Sequence, residues 1–288
     1  RLKQPNLGDA KDALIREVYT LSLAKYLDEL VPSVPEVLWK NSQPKDRYAV
    51  VEILSALHAR FGGAGFSCAM LKAISQELVP LPPRNNAEPP NEQAQKEEAL
   101  KVTRQRNLLR GATELVLVGL GGPVTGNGRV CAAGWDWLYE QLRTLLGQDR
   151  DLAYLPLVQG MMRTFGSLLL IPMQEHEAGQ SETHLGGTAA AVSSDPVVPE
   201  AQSQKFRKLF EMYYIALVKR VKREYERLNE QERRNNDAYI RSGMIFEDRQ
   251  AAFERRSKEL QTMIDAMQVM ASSLNVFVPD LPASDKGT

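Results

Sequence analysis

The stretch FRKLFEMYYIALVKRVKREYERL, Phe206–Leu228, decides the fold. Phe206, Phe210, Tyr213, Leu217, Val221, Tyr225 and Leu228 recur every three or four residues, which is the period of one apolar stripe on an α-helix. Downstream, Phe246, Phe253, Leu260, Met267 and Leu274 stand seven residues apart, with Ile264 and Ala271 near the intervening d positions of a heptad. A reversal near Arg241-Ser242-Gly243 makes the pair a long antiparallel helical hairpin over about 205–275. Such a hairpin either braces the rest of the chain or projects from it as a docking arm.

The N-terminal side repeats the same helical period on a shorter scale. Val50, Ile53, Leu54, Leu57 and Phe61 form one stripe, with Pro44-Lys45-Asp46 as a first turn and Gly62-Gly63 as a stop. Trp135, Leu138, Tyr139, Leu142, Leu145 and Leu146 form another, closed by Gly147, and Leu155, Val158, Met162 and Phe165 a looser third. Ala13, Leu14 and Val18 lead into Leu23, Tyr26, Leu27 and Leu30, with a break or kink expected at Pro32 and Pro35. Short helices with one buried stripe and no alternating strand between them pack as antiparallel pairs side by side. The expected fold is all-α: a single HEAT-repeat-like helical solenoid over 1–288, without a repeat of fixed period. Loops are expected at about 81–92, where prolines cluster, and at about 120–130. From 172 to 204 the chain holds Glu175, Glu177, Glu182, Asp195 and Glu200 but no Lys or Arg, and reads as an acidic flexible insertion.

Composition excludes several classes. Thirty-six Lys and Arg balance 36 Asp and Glu in 288 residues, so no global positive field draws in a polyanion. Cys68 and Cys131 are too few and too far apart for a disulfide framework or zinc site, and no Asn-x-Ser/Thr sequon is present, which fits a reducing compartment. No apolar run approaches the roughly 18 residues of a membrane span. The start at Arg1 and the polar tail Pro282–Thr288 suggest a segment of a longer protein.

The most enzyme-like stretch is Glu114-Leu-Val-Leu-Val-Gly-Leu-Gly-Gly-Pro-Val-Thr-Gly-Asn-Gly128. It fails the dinucleotide fingerprint because Val124 replaces the third glycine. It fails the P-loop because Asn127-Gly128 stands where Lys and Ser/Thr must reach phosphate and magnesium. A helix ending at Gly119 is the competing reading. His176 and His184 fall in the acidic insertion, and His58 beside Leu54, Leu57 and Phe61 reads as a partly buried structural histidine. With no base in view, Cys68, Cys131 and the serines lack a nucleophile's partner, so neither catalytic residues nor a cofactor or metal site is assigned.

The remaining candidate is basic. Lys219, Arg220, Lys222, Arg223 and Arg227 crowd one helix, and Lys219, Lys222, Arg223 and Arg227 fall at i, i+3, i+4 and i+8. This face meets RNA phosphate or an acidic partner segment, or is a solvated face paired with Glu224 and Glu226. A second cluster, Lys101, Arg104, Arg106 and Arg110, carries the same two readings.

The motifs of the C-terminal hairpin resemble a known family. Leu228-Asn-Glu-Gln-Glu-Arg-Arg-Asn-Asn-Asp237, Ser242-Gly243, Glu247-Asp248-Arg249, Phe253-Glu254, Leu274 and Pro279-Asp280-Leu281-Pro282 are similar to the end of the first middle-domain module in the up-frameshift-two family of nonsense-mediated mRNA decay scaffolds. Leu23-Ala-Lys-Tyr-Leu27, Glu114-Leu-Val-Leu-Val-Gly119, Leu138-Tyr-Glu-Gln-Leu142 and Asp149-Arg150 agree with earlier stretches of that module. The matches keep their order from about 21 to 282. Met244-Ile245-Phe246 departs from the family's acidic turn, the loop near residue 120 is longer, and the acidic insertion has no counterpart.

The resemblance implies a helical module of the initiation factor four-gamma middle-domain type, without catalysis or cofactor. It would act as a scaffold among decay factors: an up-frameshift helicase, an adaptor and an associated kinase, reached through a longer parent chain. The expectation is a monomeric module, cytoplasmic and perinuclear, with nuclear shuttling as a further option and no membrane contact. The alternative is a helical-repeat module that binds RNA directly in translation or mRNA processing. No contact residue is carried over from the family.

Overall fold

The computed structural model describes residues 6–82, 92–120, 132–149, 151–170, 197–244 and 247–280. Among these residues the regular structure is helical throughout: α1 (Leu7–Thr20), α2 (Leu27–Leu30), α3 (Val34–Lys40), α4 (Pro44–Phe61), α5 (Phe66–Glu77), α6 (Glu92–Leu117), α7 (Ala132–Gly147), α8 (Leu155–Leu169), α9 (Glu200–Ser242) and α10 (Glu247–Leu274). The helices stack as a HEAT-like solenoid, each laying its stripe on a neighbour: α1 on α4, α3 on α6, α6 on α7 and α8, α9 on α7 and α8, and α10 on α8 and α9. One cluster of buried apolar side chains runs from Leu7 on α1 to Leu274 on α10.

The break expected at Pro32 and Pro35 falls between α2, which ends at Leu30, and α3, which starts at Val34. Pro32 lies in the first turn of a 3-10 helix, Val31–Ser33, and Pro35 in the first turn of α3. There the missing N–H has no intrahelical partner to lose, so both residues start helical turns. Pro44 likewise opens α4. At the other end of α4 the chain continues through Gly62–Ala64 and reverses at Gly65, whose φ is +85°.

The close approach of α3 and α6 depends on a glycine. A side chain on Gly111 of α6 would put its Cβ 2.9 Å from Leu38 Cδ2 on α3, so glycine sets that helix spacing. At the end of α6, Gly119 adopts a φ of +87°. Its N–H donates to the Val116 carbonyl at 3.0 Å and the Leu120 N–H to the Leu115 carbonyl at 2.9 Å, which is a Schellman cap with Leu115 and Leu120 both buried.

Polar groups inside the stack are tied across helices. Arg47 on α4, 4% exposed, donates to the Ser42 carbonyl at 2.6 Å and stands 3.7 Å from Glu114 on α6. Burial pushes the Glu114 carboxyl up and the Arg47 guanidinium down, each against the other's attraction. Asp149, after α7, holds the turn into α8. Its carboxylate accepts from the Ala153 and Tyr154 N–H groups at 2.8 and 3.0 Å and from the Tyr213 hydroxyl of α9 at 2.8 Å. The turn places Leu152 at a φ of +57° with its side chain buried.

The boundary expected at residue 204 moves. α9 begins at Glu200, Val198 is fully buried, and Gln202 and Lys205 both donate to Asp136 Oδ1 of α7, at 2.9 and 2.7 Å. These clasps and the edge-on Trp135–Phe206 ring pair make residues 200–204 part of the stack although their composition reads as linker. The insertion's remainder through residue 196, most of the 81–92 loop and the 121–130 loop lie outside the described residues.

Candidate functional site

α9 is 43 residues long, roughly 64 Å, and only its first half is in the core. Phe206, Phe210, Tyr213, Leu217 and Val221 are buried; Tyr225 and Leu228 are half-buried, and no described residue from Lys222 to Glu259 is fully buried. On α10, burial resumes at Leu260. The distal halves of α9 and α10 therefore lie against each other beyond the stack, joined through Gly243, whose left-handed φ of +65° closes α9 with a 2.7 Å bond to the Tyr239 carbonyl. Arg256 of α10 donates to Gln231 Oε1 of α9 at 2.8 Å, a link across the pair.

Between these distal halves lies an open polar cleft of about 720 Å³. One wall carries Arg220, Glu224, Arg227, Glu230 and Arg234 of α9, alternating in sign along the helix. The other carries Arg249, Arg256 and Glu259 of α10. Glu224 Oε1 is shared: Arg227 donates to it at 3.0 Å, and Arg220 Nε stands 3.0 Å away but off the N–H direction. Arg234 donates to Glu230. Five guanidiniums thus face three carboxylates, and the cleft keeps a positive surplus.

The basic run read from the sequence divides between two faces. Arg220 and Arg227 enter the cleft, whereas Lys219, Lys222 and Arg223 are exposed outside it, with no ion-pair partner among the described residues. Arg234, Arg249 and Arg256, which lie outside that basic run, complete the cleft's cations. Arg234 was within reach, because it continues the seven-residue spacing of Arg220 and Arg227; Arg249 and Arg256 join only through the α9–α10 register.

The second basic cluster is spread over different contacts. The Arg104 guanidinium lies 4.9 Å over the Trp39 ring, Arg110 donates to Glu114 at 3.4 Å, the Arg106 stem packs near Gly160, and Lys101 is half-buried. The glycine-rich stretch resolves at its start: Glu114–Leu117 are the last turn of α6 and Gly119 is its cap, so no strand enters a phosphate loop there. Gly121–Gly128, Cys131, His176 and His184 lie outside the described residues. His58 is half-buried, its Nδ1 hydrogen-bonded to Ser67 Oγ, and burial lowers its proton affinity. Among the described residues no group of three His, Cys, Asp or Glu side chains is placed to hold a metal ion, and no helix is long and apolar enough to cross a membrane.

No protein-family model matches the chain. Regulator of nonsense transcripts 2 from Homo sapiens is 27% identical over 282 residues, covering 96% of this chain and 20% of that protein. The chain thus spans about a fifth of the length of the curated relatives it matches. Among solved structures, the N-terminal mIF4G domain of S. cerevisiae Upf2 superposes with a TM-score of 0.70 at 20% identity, covering 95% of this chain and 84% of that one. The first MIF4G domain of the human nonsense mediated decay factor UPF2 gives 0.66 at 23% identity, covering 95% and 80%. The chain is homologous to regulator of nonsense transcripts 2 along nearly its whole length, and its fold is that of the first MIF4G domain of Upf2.

Proposed function

We infer that the chain is a non-catalytic scaffold module of a nonsense-mediated mRNA decay factor, organising protein–protein contacts during mRNA surveillance. The observation that carries this reading is the agreement of sequence over 96% of the chain with fold over 95%. The yeast protein is described as involved in the degradation of mRNAs containing premature stop codons, and we extend that role to the parent of this chain. The partners are other decay factors, an up-frameshift helicase, its adaptor and an associated kinase, met through the parent, and the setting is cytoplasmic and perinuclear. A stack with one continuous core and a projecting arm suits architecture: the core fixes geometry and the arm offers surface.

Deleting this segment from the parent is expected to raise the level of a reporter mRNA carrying a premature stop codon while a stop-free reporter stays unchanged. Unchanged reporter decay, together with full co-purification of decay factors, overturns the reading.

A second reading, direct RNA binding, is favoured by one observation: Lys219, Lys222 and Arg223 are exposed with no ion-pair partner among the described residues. It requires RNA affinity that falls steeply with salt and is lost in K219E/K222E/R223E.

A further inference from the structure

The cleft between α9 and α10 has a spacing as well as a charge. Arg220, Arg227 and Arg234 are seven residues apart on α9, as are Arg249 and Arg256 on α10. Seven residues are two helical turns, so each row runs parallel to the axis and repeats about every 10.5 Å. Two antiparallel helices with heptad-spaced charges along their shared groove form a seat for a third helix whose own charges repeat at the same interval.

The sign pattern decides what kind of polyanion fits. A nucleic-acid backbone carries uniform negative charge, and Glu224, Glu230 and Glu259 would stand against it. None of the cleft's lining side chains is aromatic, so unpaired bases find no stacking platform. A peptide helix can match alternation, setting carboxylates opposite the arginines and neutral or basic side chains opposite the glutamates. Arginine also suits carboxylates in particular, since its planar fork takes both oxygens. The charged side chains are accessible: Arg227 is 56% exposed and Arg234 73%.

We propose that the cleft between the distal halves of α9 and α10 is a docking seat for an acidic α-helical segment of a partner protein, with acidic residues repeating every seven positions. This goes beyond the scaffold reading by naming the partner's chemistry, and it stands on the cleft alone, so failure in the reporter assay leaves it intact.

The test is fluorescence anisotropy with the 288-residue chain and four probes: an alanine-based helical peptide of about three heptads with two Glu per heptad, the same peptide with Gln or with Lys for Glu, and a uridine 15-mer. The Glu peptide is expected to bind, the Gln peptide not to, and R227E/R234E to weaken the Glu peptide about tenfold or more while K219E/K222E leaves it unchanged. A peptide with Lys in place of Glu should bind R227E/R234E better than the native chain. Unchanged helicity by circular dichroism shows that the variant is folded, and R249E/R256E repeats the measurement from the opposite wall. No binding of the Glu peptide at low salt, equal loss in K219E/K222E, or preference for the uridine 15-mer with loss in R227E/R234E each overturns the proposal, the last in favour of RNA.

Discussion

Asp149 shows how one side chain fixes the relation of three helices. Its carboxylate satisfies two backbone N–H groups in the α7–α8 turn and the buried Tyr213 hydroxyl of α9, so D149A orphans three donors at once. We expect D149A to lower unfolding free energy by about 2–4 kcal/mol and Y213F by about 1 kcal/mol, read from urea denaturation. Burial outweighs these donors and raises the Asp149 carboxyl above its ordinary value. The folded chain then keeps a proton that the unfolded chain has released, so this group's contribution weakens the fold as pH rises out of the carboxylate range, at about pH 4. The loss is complete above the raised value. Glu114 acts in the same direction for the same reason. Thermal melts from about pH 4 upward should therefore decline less for E114Q than for the native chain. E114A removes the polar acceptor as well as the charge beside buried Arg47 and should cost about 3 kcal/mol. At Gly119, with φ at +87°, G119A should cost about 1 kcal/mol.

The α9–α10 pair divides into a base and an arm at about Val221 and Leu260. Phe206, Phe210, Leu217, Met267 and Met270 are buried in the base, whereas the arm holds its two helices together with half-buried Leu228 and Phe253 and the Arg256–Gln231 bond. Little apolar area is removed from water there, so the arm adds little to the stability of the stack. Excising 230–257 and closing the helices with a glycine-containing turn should shift the melting midpoint by less than about 4 °C, measured by circular dichroism. The same excision removes the cleft, which separates a surface role of the arm from a bracing one.

Across the whole molecule, equal numbers of acids and bases hide a separation of charge. Bases crowd α9, and the cleft is positive although the chain is neutral, so contact there is local and falls with added salt over a Debye length of about 8–10 Å. The continuous core from Leu7 to Leu274 sets the cooperativity. With the arm excised, unfolding should be a single transition, with helicity and tryptophan fluorescence changing together. Trp39 reports α3 and Trp135 the α7–α9 contact, so separated midpoints would mean that the stack parts between them.

The stripe Phe206–Val221, the heptads ending at Leu274 and the glycine stop at Gly119 were legible in the sequence because helical period and left-handed φ are local properties. The all-helical class follows from them. Which end of α9 is buried was not legible, since Tyr225 and Leu228 continue the same stripe yet are only partly buried. Nor was the fate of two similar basic runs. The tertiary structure spends Arg104 and Arg110 on Trp39 and Glu114, and it joins Arg220 and Arg227 to Arg249 and Arg256 across a register that no sequence spacing encodes. Sequence sets the charge and the period of each helix; only the packing of one helix on another decides which charges face each other.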